Sequence, residues 1–75
     1  LSNAIQVSPN PVQDLLTIEK QGEFQIQSID VFSVNGQKIL KNVSSPIEVS
    51  HLSSGNYIAV IATDLGTFHK KFIKK

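Results

Sequence analysis

The side chains able to do chemistry are few and scattered in this chain. Its two histidines are His51 and His69. His51 falls in a stretch that reads as a turn, with Ser53 and Ser54 close by, and His69 stands beside Lys70 in an alternating stretch. A catalytic serine needs a base against its hydroxyl and a framework such as a Gly-x-Ser-x-Gly elbow to expose it. Nothing of that kind surrounds Ser53 or Ser54, so His51 reads as a solvated turn histidine. The acids Asp14, Glu19, Glu23, Asp30, Glu48 and Asp64 are spread one per segment. A calcium loop gathers its oxygen ligands within about 12 residues, and no segment does so here. Asp14 and Asp64 read as turn residues instead. Gly22, Gly36, Gly55 and Gly66 each sit in a separate turn and form no phosphate cradle. Asn42-Val43-Ser44 has the form of a glycosylation sequon, a chance occurrence by default. The expectation is therefore no catalytic residue, no cofactor, no metal and no small-molecule substrate. Such a domain acts by being bound or recognised.

Charge narrows the class further. The net charge is +1, but all seven basic residues are lysines. Four of them (Lys70, Lys71, Lys74 and Lys75) fall in the last six residues. The rest of the chain is acidic on balance, and it contains no arginine, the preferred residue for phosphate and base recognition. No nucleic-acid surface is expected. The basic tail has two readings, a charged edge strand that preserves solubility or a positive handle for another protein or an anionic surface. Alternation is expected to turn Phe68 and Phe72 inward and the neighbouring lysines to solvent. Deleting Lys74 and Lys75 is then expected to change stability by no more than about 0.5 kcal/mol, as surface changes do.

Seventy-five residues allow one domain, with about 60% of the unfolded surface buried at this size. There is no cysteine to staple it. No apolar run approaches the roughly 20 residues of a membrane span, and no signal peptide is visible at the start. Ser2-Asn3-Ala4 resembles a tag-removal scar. Residues 1–4 are set aside on that ground, and residues 5–75 are taken as a domain cut from a longer protein.

The chain reads as strands throughout. Ile5-Gln6-Val7 alternates and stops at Ser8-Pro9-Asn10-Pro11, since proline cannot donate to a ladder. Leu15-Leu16-Thr17-Ile18 is a second strand, and Phe24 opens a long third one reaching Phe32, with a bulge near Gln27-Ser28 where the period slips. Asn35-Gly36 predicts a type I′ hairpin turn, with positive φ at both residues. The returning strand is 37–40, a short strand follows at 46–49, and 51–55 is a turn. Residues 56–63 form a central strand that is apolar on both faces, and 67–73 alternate as the last strand. About seven strands at such spacing predict an all-β fold, a single small immunoglobulin-like β-sandwich. Its expected core is Leu16, Ile18, Ile29, Val31, Ile39, Val49, Leu52, Tyr57, Ala59, Ile61 and Phe72, with Phe32 also inside and Phe24 and Phe68 able to stand exposed.

Taken together, these landmarks resemble the C-terminal sorting domain of type IX (Por) secretion cargo in Bacteroidetes. Ser8-Pro9-Asn10-Pro11, with Asp14 and Leu16 after it, is similar to that family's opening Pro-Asn-Pro segment. Ile29-Asp30-Val31-Phe32-Ser33-Val34-Asn35-Gly36-Gln37-Lys38-Ile39 resembles its central strand, Gly-Gln turn and returning strand. Leu52-Ser53-Ser54-Gly55-Asn56-Tyr57 matches its Leu-x-x-Gly-x-Tyr segment, and 67–75 its basic end. Ser8 stands where an aromatic is frequent and Ser33 where Asn or Asp is. The likeness covers residues 5–75.

The resemblance implies a non-catalytic secretion signal. Its cargo would be an N-terminal domain of the same chain, passing through the periplasm to the cell surface or medium. Its partners would be an outer-membrane translocon and a sortase-like peptidase, and the signal-recognition residues would be Lys70, Lys71, Phe72, Ile73, Lys74 and Lys75. Pro9, Asn10, Pro11, Asn35, Gly36, Gln37, Leu52, Gly55 and Tyr57 would be structural. The alternative is an accessory sandwich for adhesion or carbohydrate binding on a secreted enzyme. That role needs an exposed aromatic platform, and the chain has only one tyrosine and four phenylalanines.

Overall fold

The computed structural model describes residues 4–75. Leu1, Ser2 and Asn3, which carry most of the expected scar, lie outside the described residues. Strands follow in the order β1 (Ile5–Ser8), β2 (Leu15–Lys20), β3 (Ile26–Ser33), β4 (Lys38–Leu40), β5 (Ile47–Glu48), β6 (Gly55–Thr63) and β7 (Gly66–Lys74). Among the described residues there is no helix. The strands form two antiparallel sheets, ordered β1-β2-β5 and β4-β3-β6-β7. The domain is the small β-sandwich that the strand spacing predicts.

The side-chain period of 2 decides what is buried. Along β6, Tyr57, Ala59, Ile61 and Thr63 face inward and are buried, while Ile58, Val60 and Ala62 face outward and are half-buried. Ile29 and Val31 on β3 and Phe72 on β7 complete that wall of the core. Ile5, Leu16, Ile18 and Ile47 from the other sheet close over it. Each such side chain contributes about 1.5–3 kcal/mol when fully buried. Tyr57 stacks on its cross-strand neighbour Phe72, with centroids 5.6 Å apart, and its hydroxyl donates to the Ser53 carbonyl at 2.6 Å. A tyrosine at the start of a strand, tied to backbone just upstream, is the tyrosine corner of immunoglobulin-type sandwiches.

Several expectations need correction. The third strand begins at Ile26, not at Phe24, although the bulge is where the period slipped, as a register shift between Ile26 and Ser28. Phe24 is buried and stacks on half-buried Phe68 at 6.0 Å, and the Lys20 ammonium lies 5.6 Å over its ring and donates to its carbonyl. Phe32 has the opposite fate. It pairs with Ile58 on the outer face and lies beneath Lys38, whose ammonium is 5.5 Å from its ring centre. Ile39, expected in the core, is half-buried at the β3–β4 bulge.

A further correction concerns the hairpin. Gly36 has φ 89°, but Asn35 is not among the residues with positive φ, so the turn is not type I′. The Gly36 N–H donates to the Ser33 carbonyl at 3.0 Å, and the Ser33 N–H donates to the Gln37 carbonyl at 2.9 Å. These bonds close a turn over 33–36 followed by a one-residue bulge with glycine in the left-handed position. The Ser33 hydroxyl donates to the Asn35 side-chain oxygen and accepts from the Gln37 N–H at 3.3 Å. A Cβ at position 36 would meet nothing within 4 Å, so any penalty there is conformational. Gly36→Val should cost about 1–2 kcal/mol for left-handed backbone, and somewhat more because valine is β-branched. An unchanged denaturation midpoint would mean that the turn does not need this conformation.

Candidate functional site

Pro9 and Pro11 lack the N–H that would extend β1 along β2. The chain therefore leaves the first sheet after Ser8 and crosses to the edge of β7 in the second. There the Val12 N–H donates to the Ile73 carbonyl at 2.8 Å, and the Lys75 N–H donates to the Val12 carbonyl at 2.9 Å. This is a parallel bridge between Val12 and Lys74. Asn10, between the prolines, adds its side chain: Oδ1 accepts the Ile73 N–H at 2.9 Å across 63 residues of sequence. The opening Pro-Asn-Pro segment and the basic end thus form one structure.

The strand registers bring the remaining landmarks to the same end of the sandwich. Ser33 pairs with Tyr57, Tyr57 with Phe72, and Gly55 with Lys74. The hairpin carrying Asn35, Gly36 and Gln37 therefore lies two strands from the chain's end, on the order of 10 Å at the usual strand spacing. Leu52 is buried beneath the turn that leads into Gly55 and Tyr57, its N–H bonded to the Val49 carbonyl at 3.0 Å. Pro9, Pro11, Gln13, Asp14, Leu15 and Lys75 line a shallow pocket where the Pro-Asn-Pro segment meets the last residue. Leu15 is 51% exposed there, an apolar side chain held open between an acid and a base. Gln13 and Leu15 were not expected at a site. The signal for Leu15 was the Leu15-Leu16 pair, since adjacent strand residues cannot both face the core.

The tail does not put all its lysines in water. Phe72 is fully buried, and Lys74, of the same parity, is only 8% exposed. Lys74 keeps its stem inside and sends its ammonium to the Lys75 carbonyl at 3.1 Å. Lys70, also of that parity, is half-buried opposite Ala59. Lys71, Ile73 and Lys75 are exposed. Of the six residues expected to carry recognition, these three are exposed on the folded domain.

Among the described residues the His51–Glu48–Ser50 contacts do not assemble a nucleophile. The Ser50 hydroxyl donates to the Glu48 carboxylate, and His51 Nδ1 lies 3.7 Å from the same carboxylate. The acid sits between serine and histidine, so the imidazole is not placed to take the hydroxyl proton. All three residues are exposed. Ser53 contributes its carbonyl to Tyr57. Among the described residues no cluster of three His, Cys, Asp or Glu could hold a metal ion. The terminal end presents a preformed surface of mixed polar and apolar side chains.

A family model described as the secretion system C-terminal sorting domain matches residues 6–75. No curated protein and no solved structure matches the chain.

Proposed function

Because the chain belongs to the C-terminal sorting domains of type IX secretion, we propose that it is a non-catalytic export signal read by an outer-membrane translocon. The cargo is a larger polypeptide preceding it in the same protein. It crosses the periplasm, and the signal directs it to the cell surface or medium, where a sortase-like peptidase removes the signal. The match across residues 6–75 carries this reading. The geometry supports recognition of the end of the sandwich where the Pro-Asn-Pro segment meets the basic tail, with Lys71, Ile73 and Lys75 exposed on the tail and Lys75 beside Pro9 and Pro11. A signal of this kind needs a stable fold and an accessible surface, and no chemistry of its own.

The test is sufficiency. Residues 5–75 fused behind a periplasm-directed fluorescent protein should carry it out of a host with an intact type IX system. In a translocon mutant the fusion should stay in the periplasm. Equal release from both strains would overturn the reading.

The accessory carbohydrate-binding alternative loses its main requirement. Phe24, Tyr57 and Phe72 are buried, Phe68 is half-buried, and half-buried Phe32 lies under Lys38. No aromatic ring among the described residues is left as a flat exposed platform for a sugar.

A further inference from the structure

Among the described residues the edge of β7 is covered only at its end. Ile73 directs both its N–H and its carbonyl away from β6, to Asn10 and Val12. Backbone direction repeats every two residues along a strand, so Thr67, His69 and Lys71 direct theirs the same way. Among the described residues no backbone partner meets those groups. The pairing of β7 with β6 runs without a break from Gly66 to Lys74. This stretch therefore has neither the bulge nor the proline with which proteins commonly blunt an open edge.

Its charge has one sign. His69, Lys70 and Lys71 stand on this stretch, and neither β6 nor β7 holds an acid. Beside His69 on the outer face, Phe32, Ile58 and Val60 form a shallow apolar strip. A second copy pairing edge to edge would set lysine against lysine, which opposes self-association.

We infer that residues 67–71 of β7 accept an extended acidic segment of a partner protein, added to the sheet as a further strand. Main-chain bonds to Thr67, His69 and Lys71 hold the segment. Lys71 pairs with Ile58 on the outer face, so the segment's carboxylates lie on that face beside Lys71, and its alternate apolar side chains lie on the opposite face beside half-buried Phe68. Val12 shows the mode on a small scale, since it already occupies the neighbouring part of the same edge. The inference rests on the export-signal reading for the partner's role, but the binding step is measurable without it.

The probe is a capped octapeptide alternating Glu and Val, titrated into the isotope-labelled chain and followed by amide NMR. The Thr67, His69 and Lys71 amides should shift and exchange more slowly with solvent. Lys71→Glu should weaken binding at least tenfold while its amide spectrum stays folded, and the same peptide N-methylated at alternate residues should not bind. Three results would overturn the inference: equal binding of the N-methylated peptide, equal binding of a Lys-Val octapeptide, or shifts confined to the Pro9–Lys75 pocket. Dimerisation through this edge in sedimentation would overturn it too. Failure of the fusion in the export assay would remove the export-signal reading and leave the peptide result to stand or fall alone.

Discussion

Deleting Lys74 and Lys75 should destabilise the domain by about 1–3 kcal/mol, the cost of leaving a buried backbone group without its partner. The group is the carbonyl of Val12, a residue with 0% exposure whose acceptor site is filled by the Lys75 N–H. The deletion also removes the Val12–Lys74 bridge, the pairing of Lys74 with Gly55 and the buried lysine stem. A denaturant midpoint on the purified domain measures the change. A midpoint shift equivalent to less than about 0.5 kcal/mol, as for an ordinary surface change, would show that the terminal bridge contributes nothing. Export loss in this deletion cannot be credited to recognition, because the fold is damaged with it. The paired variant is Lys71→Gln with Lys75→Gln, which keeps every backbone bond and changes two exposed residues. Its midpoint should hold within about 0.5 kcal/mol, while the secreted fraction of the fusion should fall severalfold. Normal secretion of that variant would remove both charges from the signal.

The largest effect is expected at Phe72. Phe72→Ala should cost about 3–5 kcal/mol, the range for emptying a buried phenylalanine site. A domain of this length has roughly 4–11 kcal/mol in total, at about 0.05–0.15 kcal/mol per residue. The substitution leaves a void between the sheets and strips Tyr57 of its stacking partner. Much of the population should therefore be unfolded at 37 °C, visible as loss of amide dispersion and of a cooperative transition. Phe72→Leu should retain the fold at a lower midpoint. A folded Phe72→Ala domain with a near-normal midpoint would contradict its place in the core.

Local patterns in the sequence carried the strands, the bulge before Ser28 and most of the core, because each depends on residues close together. The tail was harder. Parity alone puts Lys70 and Lys74 on the same face as Phe68 and Phe72, but residue type argues for solvent, and type was given the greater weight. A lysine at the rim of a sheet can satisfy both, with its stem in and its ammonium out. Phe24 reads locally as the exposed start of the third strand, but it precedes β3, where strand parity does not apply, and its stacking on Phe68 joins distant segments. Asn-Gly was a true turn signal, but the dipeptide does not distinguish two left-handed residues from one. That choice follows from the bonds made by Ser33. The terminal site was legible only as two separate landmarks. The bond joining them spans 63 residues, and nothing local to Asn10 indicates that its side chain answers Ile73.

The contact of Val12 and Asn10 with the end of β7 also sets how the domain answers a pulling force. Val12 runs parallel to β7. Tension between the cargo side of the chain and its last residues therefore draws the two segments past each other lengthwise. The bonds at Asn10, Val12 and Lys75 then share the load at once, and must rupture together instead of opening one after another like a zipper. The survival of the domain under such a load then depends on its rate of unfolding.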